Sequence, residues 1–295
     1  MYNFRNLYEP KSVKEALELR RKYPEALILA GGSDILIKLR EEKIAGCDLI
    51  SIYLLDDLRG VCVEDDGTLL IRPLSSFTDI TMNPLIKKHI PVLGEAVDQI
   101  GGPQIRNIGT IGGNICNGVT SADSASTLKA YDAVLELTSL DGVRELPFAD
   151  FNLSPGKVDL GADELLTGIR ISKESYERTY GHYIKYAMRR AMDIATLGCS
   201  VNVRLSEDRK TIDRFRIAYG VAAPIPIRAV SAEKAATGHT VNKELLDVVA
   251  KEVLHDITPR SSWRAAKEFR LHLAQELARR ATTHAIEKAG GKIDG

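Results

Sequence analysis

Between Gly101 and Gly118, six of eighteen residues are glycine, in the run GGPQIRNIGTIGGNICNG. No other stretch restricts the fold as much. Glycine loses more freedom on folding than any other residue, so an ordered cluster marks strained turns or main chain pressed against a neighbour. A second bend, AGGSD at 30–34, lies between the apolar run ALILA and the helix-like ILIKLREE. Neither stretch has the G-x-G-x-x-G spacing of a Rossmann site, and neither ends in the lysine of a nucleoside-triphosphate loop. A helix start presents unbonded amides and the positive end of a dipole, which suits a phosphate. Gly31 and Gly32 let the backbone come close, and Ser33 adds a hydroxyl. Thr110 to Asn114, TIGGN, can form an anion nest. Each bend alone reads equally as a tight structural turn. Together, in a chain with no other evident chemistry, they suggest one long diphosphate ligand gripped from two sides. Asp123 reads either as a helix cap in SADSAS or as an acceptor for a ribose or ribityl hydroxyl.

Bulk properties remove several alternatives. A chain of 295 residues is too long for one small core. Forty basic residues balance forty acidic ones, which gives no electrostatic footprint for nucleic acid or an anionic membrane. No apolar run approaches the roughly 20 residues of a membrane helix, and the opening MYNFRNLYEPKSVKEA lacks the apolar core of a secretory signal. A cytoplasmic location is expected. Cys47, Cys62, Cys116 and Cys199 show no C-x-x-C spacing, so buried thiols are expected and no metal or iron–sulfur site. There is no H-E-x-x-H and no G-x-S-x-G, and no catalytic residue is expected in this chain.

The hydrophobic pattern changes twice along the chain. SVKE at 12–15 reads as a capping box, and ALILA and DLISI (48–52) read as buried strands around a helix, a parallel βαβ unit. Asp66-Gly67 and Asp141-Gly142 mark two hairpins of a largely antiparallel segment, with helices over 91–100 and SADSASTLKAYDA between them. After about 175 comes an alternating strand with Val201, Val203 and Leu205 on one face, then the strand and Pro-punctuated turn of FRIAYGVAAPIPIRA. A final helix is expected to start at a Ser262 cap and bury Ala266, Phe269, Leu273 and Leu277. The fold class is thus mixed α/β (α+β). Residues 1–175 form one domain, with subdomains of about 1–56 and 57–175, and residues 176–295 form a second.

Three segments carry a resemblance: LILAGGSDILI, GPQIRNIGTIGGNICNG with the TSADS that follows, and YAMRRAMDIATLGCSVNV. In this order and spacing they resemble the flavin-binding subunits of the molybdenum hydroxylases, from the N-terminus to KEFRLHL near 273. NGVTSADSAS, GVAAPIPIRA and TPRSSWRAAKEFRLHL are most similar to the xanthine dehydrogenase branch, which has sister subunits in carbon monoxide, nicotinate and aromatic acyl-CoA enzymes. The resemblance implies an FAD-binding fold of the PCMH or vanillyl-alcohol-oxidase type, followed by a CO-dehydrogenase-flavoprotein-like domain. It implies a first phosphate loop of Leu27, Ile28, Leu29, Ala30, Gly31, Gly32, Ser33, Asp34 and Ile35, and a second of Thr110, Ile111, Gly112, Gly113 and Asn114. Asp123 would meet the ribityl or ribose region. Ile100 and Gly101 would sit beside the flavin, and Leu166 and Lys185 would line the isoalloxazine ring. The lysine would face the N1–C2 edge and stabilise the reduced anion, although taken alone it reads as a surface lysine. The implied partners are a molybdopterin-containing large subunit, a small subunit with 2Fe–2S clusters, and NAD⁺ as acceptor, in a heterotrimer or its dimer. The alternative, a stand-alone FAD oxidoreductase, would normally add a base over the flavin and a covalent-linkage His or Cys.

Overall fold

A computed structural model of the chain describes residues 2–293. In the first unit, β1 (Phe4–Tyr8), β2 (Leu27–Leu29) and β3 (Cys47–Ser51) form a parallel sheet in the order β1-β3-β2. Its crossovers are α1 (Val13–Lys22) and α2 (Ile35–Arg40). Ser12 caps α1 by accepting the Glu15 amide, while the Glu15 carboxylate accepts the Lys11 amide, one residue before the position a capping box requires.

The second unit is built on an antiparallel sheet of β4 (Val61–Val63), β5 (Leu69–Ile71), β6 (Val134–Ser139), β7 (Gly142–Pro147) and β10 (Leu165–Ile171), ordered β4-β5-β10-β6-β7. A small hairpin, β8 (Asn152–Ser154) and β9 (Lys157–Val158), precedes β10. Between β5 and β6 run α3 (Phe77–Met82), α4 (Pro84–His89), α5 (Pro91–Val97), α6 (Pro103–Ile108), α7 (Ile111–Cys116) and α8 (Asp123–Ala130). Proline opens α4, α5 and α6, where its missing N–H leaves no bond unmade. A single turn, α9 (Phe148–Phe151), follows β7.

After the turn α10 (Lys173–Tyr176), the third unit is an antiparallel sheet of β11 (Tyr180–Tyr186), β12 (Leu197–Leu205), β13 (Ile212–Gly220) and β14 (Ile227–Arg228). α11 (Val230–Ala236), α12 (Lys243–Glu252) and α13 (Lys267–Lys288) cover one face. Among the described residues each unit has its own apolar core.

Two expectations for this unit need correction. β12 is buried on both faces, although its sequence alternates. Val201, Val203 and Leu205 pack under the C-terminal helices, and the opposite face packs on α8, where Asn202 Nδ2 donates to Ala130 O at 3.0 Å. Polar residues at the alternate positions therefore face a protein surface. The second correction concerns α13, whose N-cap is Ala266. Ser262 instead accepts from Arg270 Nη2 at 2.8 Å and lies in a turn four residues earlier. Leu273 and Leu277 are buried as expected, but Phe269 is exposed and meets the Tyr186 ring edge to face at 5.9 Å.

Candidate functional site

The first glycine bend is the turn from β2 into α2. Asp34 precedes α2 but makes no side-chain cap, and Gly32 has φ +76°, a left-handed conformation that favours glycine. Among the described residues, no protein acceptor receives the amides of Gly31, Gly32, Ser33 or Asp34. Four consecutive donors at a helix start form a cradle for a phosphate. Gly31 is pressed against the end of α6. A Cβ there would overlap the Ile108 carbonyl, lying 2.7 Å from its carbon and 3.2 Å from Gly109 Cα. Leu27, Ile28 and Leu29 bring the chain to this bend along β2, and Ala30 completes the approach.

The second bend touches the first: a Cβ on Gly113 would lie 3.8 Å from Ala30 Cβ. Its amides, however, do not form the nest that the spacing suggests. Ile111 N donates to Ser75 O, Gly112 N to Pro73 O, Gly113 N to Thr110 Oγ1 and Asn114 N to Thr110 O. Thr110 is the N-cap of α7, and Gly112 is there because a Cβ would come within 2.8 Å of Pro73 O. What this bend can offer a ligand is side-chain chemistry. Asn114 Oδ1 accepts from Ser124 Oγ at 2.7 Å, so the donor its side chain can offer is the amide nitrogen.

Asp123 opens α8 at its first helical residue, and Ala122 takes the N-cap position, so the cap reading does not hold. Tyr183 Oη donates to its Oδ1 at 2.5 Å and Lys185 Nζ to its Oδ2 at 2.8 Å. The two charged side chains are 5% and 7% exposed, which rules out a solvated surface lysine. Burial pushes the Asp123 carboxyl above the usual carboxylate range, against the opposing pull of Lys185 and Tyr183. Lys185 Nζ also donates to Gln99 O at 2.9 Å, one residue before Ile100. Gly101 takes φ +52°, and Arg106 Nη1 binds the carbonyls of both Ile100 and Gly101 at 3.3 Å.

A cavity of about 450 Å³ opens here between residues 98–106 and the loop after β11, lined by Gly101, Arg106, Lys185, Tyr186, Arg190 and Met192. The loop is held by Asp193, whose carboxylate accepts the amides of Arg189 and Ile194, both at 2.9 Å. Leu166 lies on β10 in the core of the second unit, paired with Leu137. Sequence reasoning missed Tyr183, Gln99 and Arg106. Only Tyr183 left a signal, since its spacing of two from Lys185 puts both on one face of a strand.

These residues suit a flavin dinucleotide. An open amide cradle can take its diphosphate, and a partly enclosed cavity with a cation in its wall can take an electron-accepting ring. The chain matches the FAD binding domain in molybdopterin dehydrogenase over residues 2–173, and the CO dehydrogenase flavoprotein C-terminal domain over residues 182–285. It belongs to the family of FAD-binding subunits of the molybdopterin dehydrogenases, and FAD is its cofactor. Among individual relatives, it is 42% identical to the xanthine dehydrogenase FAD-binding subunit of Escherichia coli O157:H7, over 99% of this chain and all of that one. It is 30% identical to the nicotinate dehydrogenase FAD-subunit of Eubacterium barkeri, over 84% of each chain. Carbon monoxide dehydrogenase from Hydrogenophaga pseudoflava contains a chain of the same fold, with TM-score 0.92, 29% identity, and coverage of 98% of this chain and 99% of that one. Among the described residues no helix is long and apolar enough to cross a membrane.

Proposed function

We propose that this chain is the FAD-bearing relay of a xanthine dehydrogenase. In this reading a molybdopterin-containing large subunit hydroxylates a purine, a small 2Fe–2S subunit passes on the electrons, and NAD⁺ receives them here. Bound FAD supplies the step between single electrons and a hydride. The amides of Gly31 to Asp34 hold the diphosphate, with Leu27 to Ala30 and Ile35 forming the loop around them. Thr110 to Asn114 support this loop from behind, and Asn114 adds a donor. Asp123 meets a ribityl or ribose hydroxyl while holding Lys185. Lys185 places a positive charge at the ring edge, where it favours the reduced flavin over the oxidised one. Ile100 and Gly101 bound the ring and exclude water. No acid or base of this chain enters the chemistry. The assembly is a heterotrimer or its dimer, in the cytoplasm.

The observation that carries this reading is the run of four amides without acceptors among the described residues, set against the second glycine bend. The full-length identity to a xanthine dehydrogenase subunit favours the purine branch. The test is to purify the chain with its neighbouring subunits. A yellow complex with one FAD per copy of this chain, which reduces NAD⁺ with xanthine and not with nicotinate or carbon monoxide, is expected. Activity confined to nicotinate or carbon monoxide would move the protein to a sister branch. Replacing Lys185 with Met should lower the flavin midpoint potential while changing the affinity for oxidised FAD by less than about threefold, under about 0.7 kcal/mol.

A further inference from the structure

Tyr183 is fully enclosed, yet its hydroxyl is tied to a charged group that the flavin reading depends on. Tyr183 and Lys185 leave the same face of β11, and that face meets the start of α8. Each oxygen of the Asp123 carboxylate receives one side-chain donor, the Tyr183 hydroxyl on Oδ1 and the Lys185 ammonium on Oδ2. Among the described residues no other side chain donates to this carboxylate. The backbone makes room for the phenol. Gly198 stands opposite Lys185 in the β11–β12 register, and a Cβ there would lie 2.7 Å from Tyr183 Oη. Gly198 in turn stands opposite Gly220 on β13.

We propose that Tyr183 is a positioning residue for the flavin site: by holding Asp123 Oδ1 it fixes the carboxylate against Lys185 and so keeps the ammonium in place at the flavin edge. This rests on the assignment of Lys185 to that edge under Proposed function. The physical reason is the burial of the carboxylate. A hydroxyl donating to a carboxylate makes one of the stronger hydrogen bonds in a protein. A buried carboxylate oxygen that loses its only side-chain donor keeps its full desolvation penalty. It then turns toward another donor, and that change loosens its hold on Lys185. Tyr183 therefore acts through Lys185, and its influence should vanish when Lys185 carries no charge.

The substitution Tyr183→Phe removes the hydroxyl and keeps the ring. In the full chain loaded with FAD, it should weaken binding of reduced relative to oxidised flavin about tenfold, which lowers the two-electron midpoint potential by about 30 mV. Oxidised FAD should bind within about threefold of wild type. Added to Lys185→Met, Tyr183→Phe should change the potential no further. Gly198→Ala, which crowds the hydroxyl without removing it, should shift the potential in the same direction and provides a second variant should Tyr183→Phe fold poorly. A wild-type potential in both variants, alongside a shifted one in Lys185→Met, overturns this proposal alone. So does a Tyr183→Phe shift that persists in the Lys185→Met background. An unshifted potential in Lys185→Met itself overturns the flavin-edge assignment of Lys185, and this proposal with it.

Discussion

Gly31 and Gly112 stand in similar sequence surroundings but meet different demands. Both lack room for a Cβ, Gly31 against the Ile108 carbonyl and Gly112 against Pro73. Their amides differ: Gly112 donates to Pro73 O at 2.8 Å, whereas Gly31 has no protein acceptor among the described residues. Gly112→Ala should therefore act mainly on the fold, at the roughly 1–3 kcal/mol typical of overpacking. Gly31→Ala should in addition displace the donor cradle and weaken FAD binding by tenfold or more, about 1.4 kcal/mol. Melting each variant with and without FAD separates the two. Gly112→Ala should melt lower in the apo form and keep most of its FAD-induced rise, while Gly31→Ala should lose that rise. The reverse pattern would mean that the second bend grips the diphosphate. The sequence shows that these glycines are constrained, but it does not show which amides are left over. That depends on Pro73 and Ser75, which come near α7 only in the folded chain. Asp123 and Lys185 enter the site through the resemblance, and their pairing is hidden from the sequence because 62 residues separate them.

At the scale of elements, α8 is the joint of the molecule. Asp132 follows it with φ +51°, and its carboxylate pairs with Arg214, Arg216 and Arg228 on β13 and β14. Glu233 on α11 shares Arg228 and Arg216. Burial pushes the Asp132 carboxyl up, but Arg228, Arg216 and Arg214 pull harder and hold it below the usual range. A carboxyl with a lowered folded-state pKa stabilises the fold above its unfolded value of about 3.9, and that stabilisation is lost as pH falls through the folded value. Asp132→Asn suits the left-handed backbone and removes only the charge. It should destabilise the protein at pH 7 by about 2–3 kcal/mol, less than a fully buried pair because the aspartate is 26% exposed. Below about pH 4 the gap between variant and wild type should narrow, as denaturant midpoints measured across pH would show. A gap that stays constant into acid would mean that the charge is unimportant. The two hairpins could be read from turn signals, because Asp66-Gly67 and Asp141-Gly142 act locally. The start of α13 could not, because Arg270, eight residues on in the first turns of that helix, takes the Ser262 hydroxyl and leaves Ala266 as the cap.

At the scale of the whole molecule, α8 belongs to the FAD-binding half by sequence and to the C-terminal sheet by packing. The family matches end at 173 and resume at 182, but Asp123, Ala130 and Asp132 all find partners beyond 182. We propose that the boundary near 175 divides the sequence without dividing the cooperative unit. The apo chain should then unfold in one transition by heat or denaturant, with calorimetric and van't Hoff enthalpies in agreement. FAD at a hundred times its dissociation constant should stabilise that single transition by about 2.7 kcal/mol. At roughly 2 °C per kcal/mol for a chain of this length, the melting temperature should rise by about 5 °C. A fragment ending at 175 carries both glycine bends and Asp123 but lacks Tyr183 and Lys185. It would leave a carboxylate without its donors and a buried helix face without its sheet, so it should fail to hold FAD although the amides of Gly31 to Asp34 are all present. Two separate transitions in the intact chain, or tight FAD binding by that fragment, would show that the halves are independent and that α8 merely touches the second sheet.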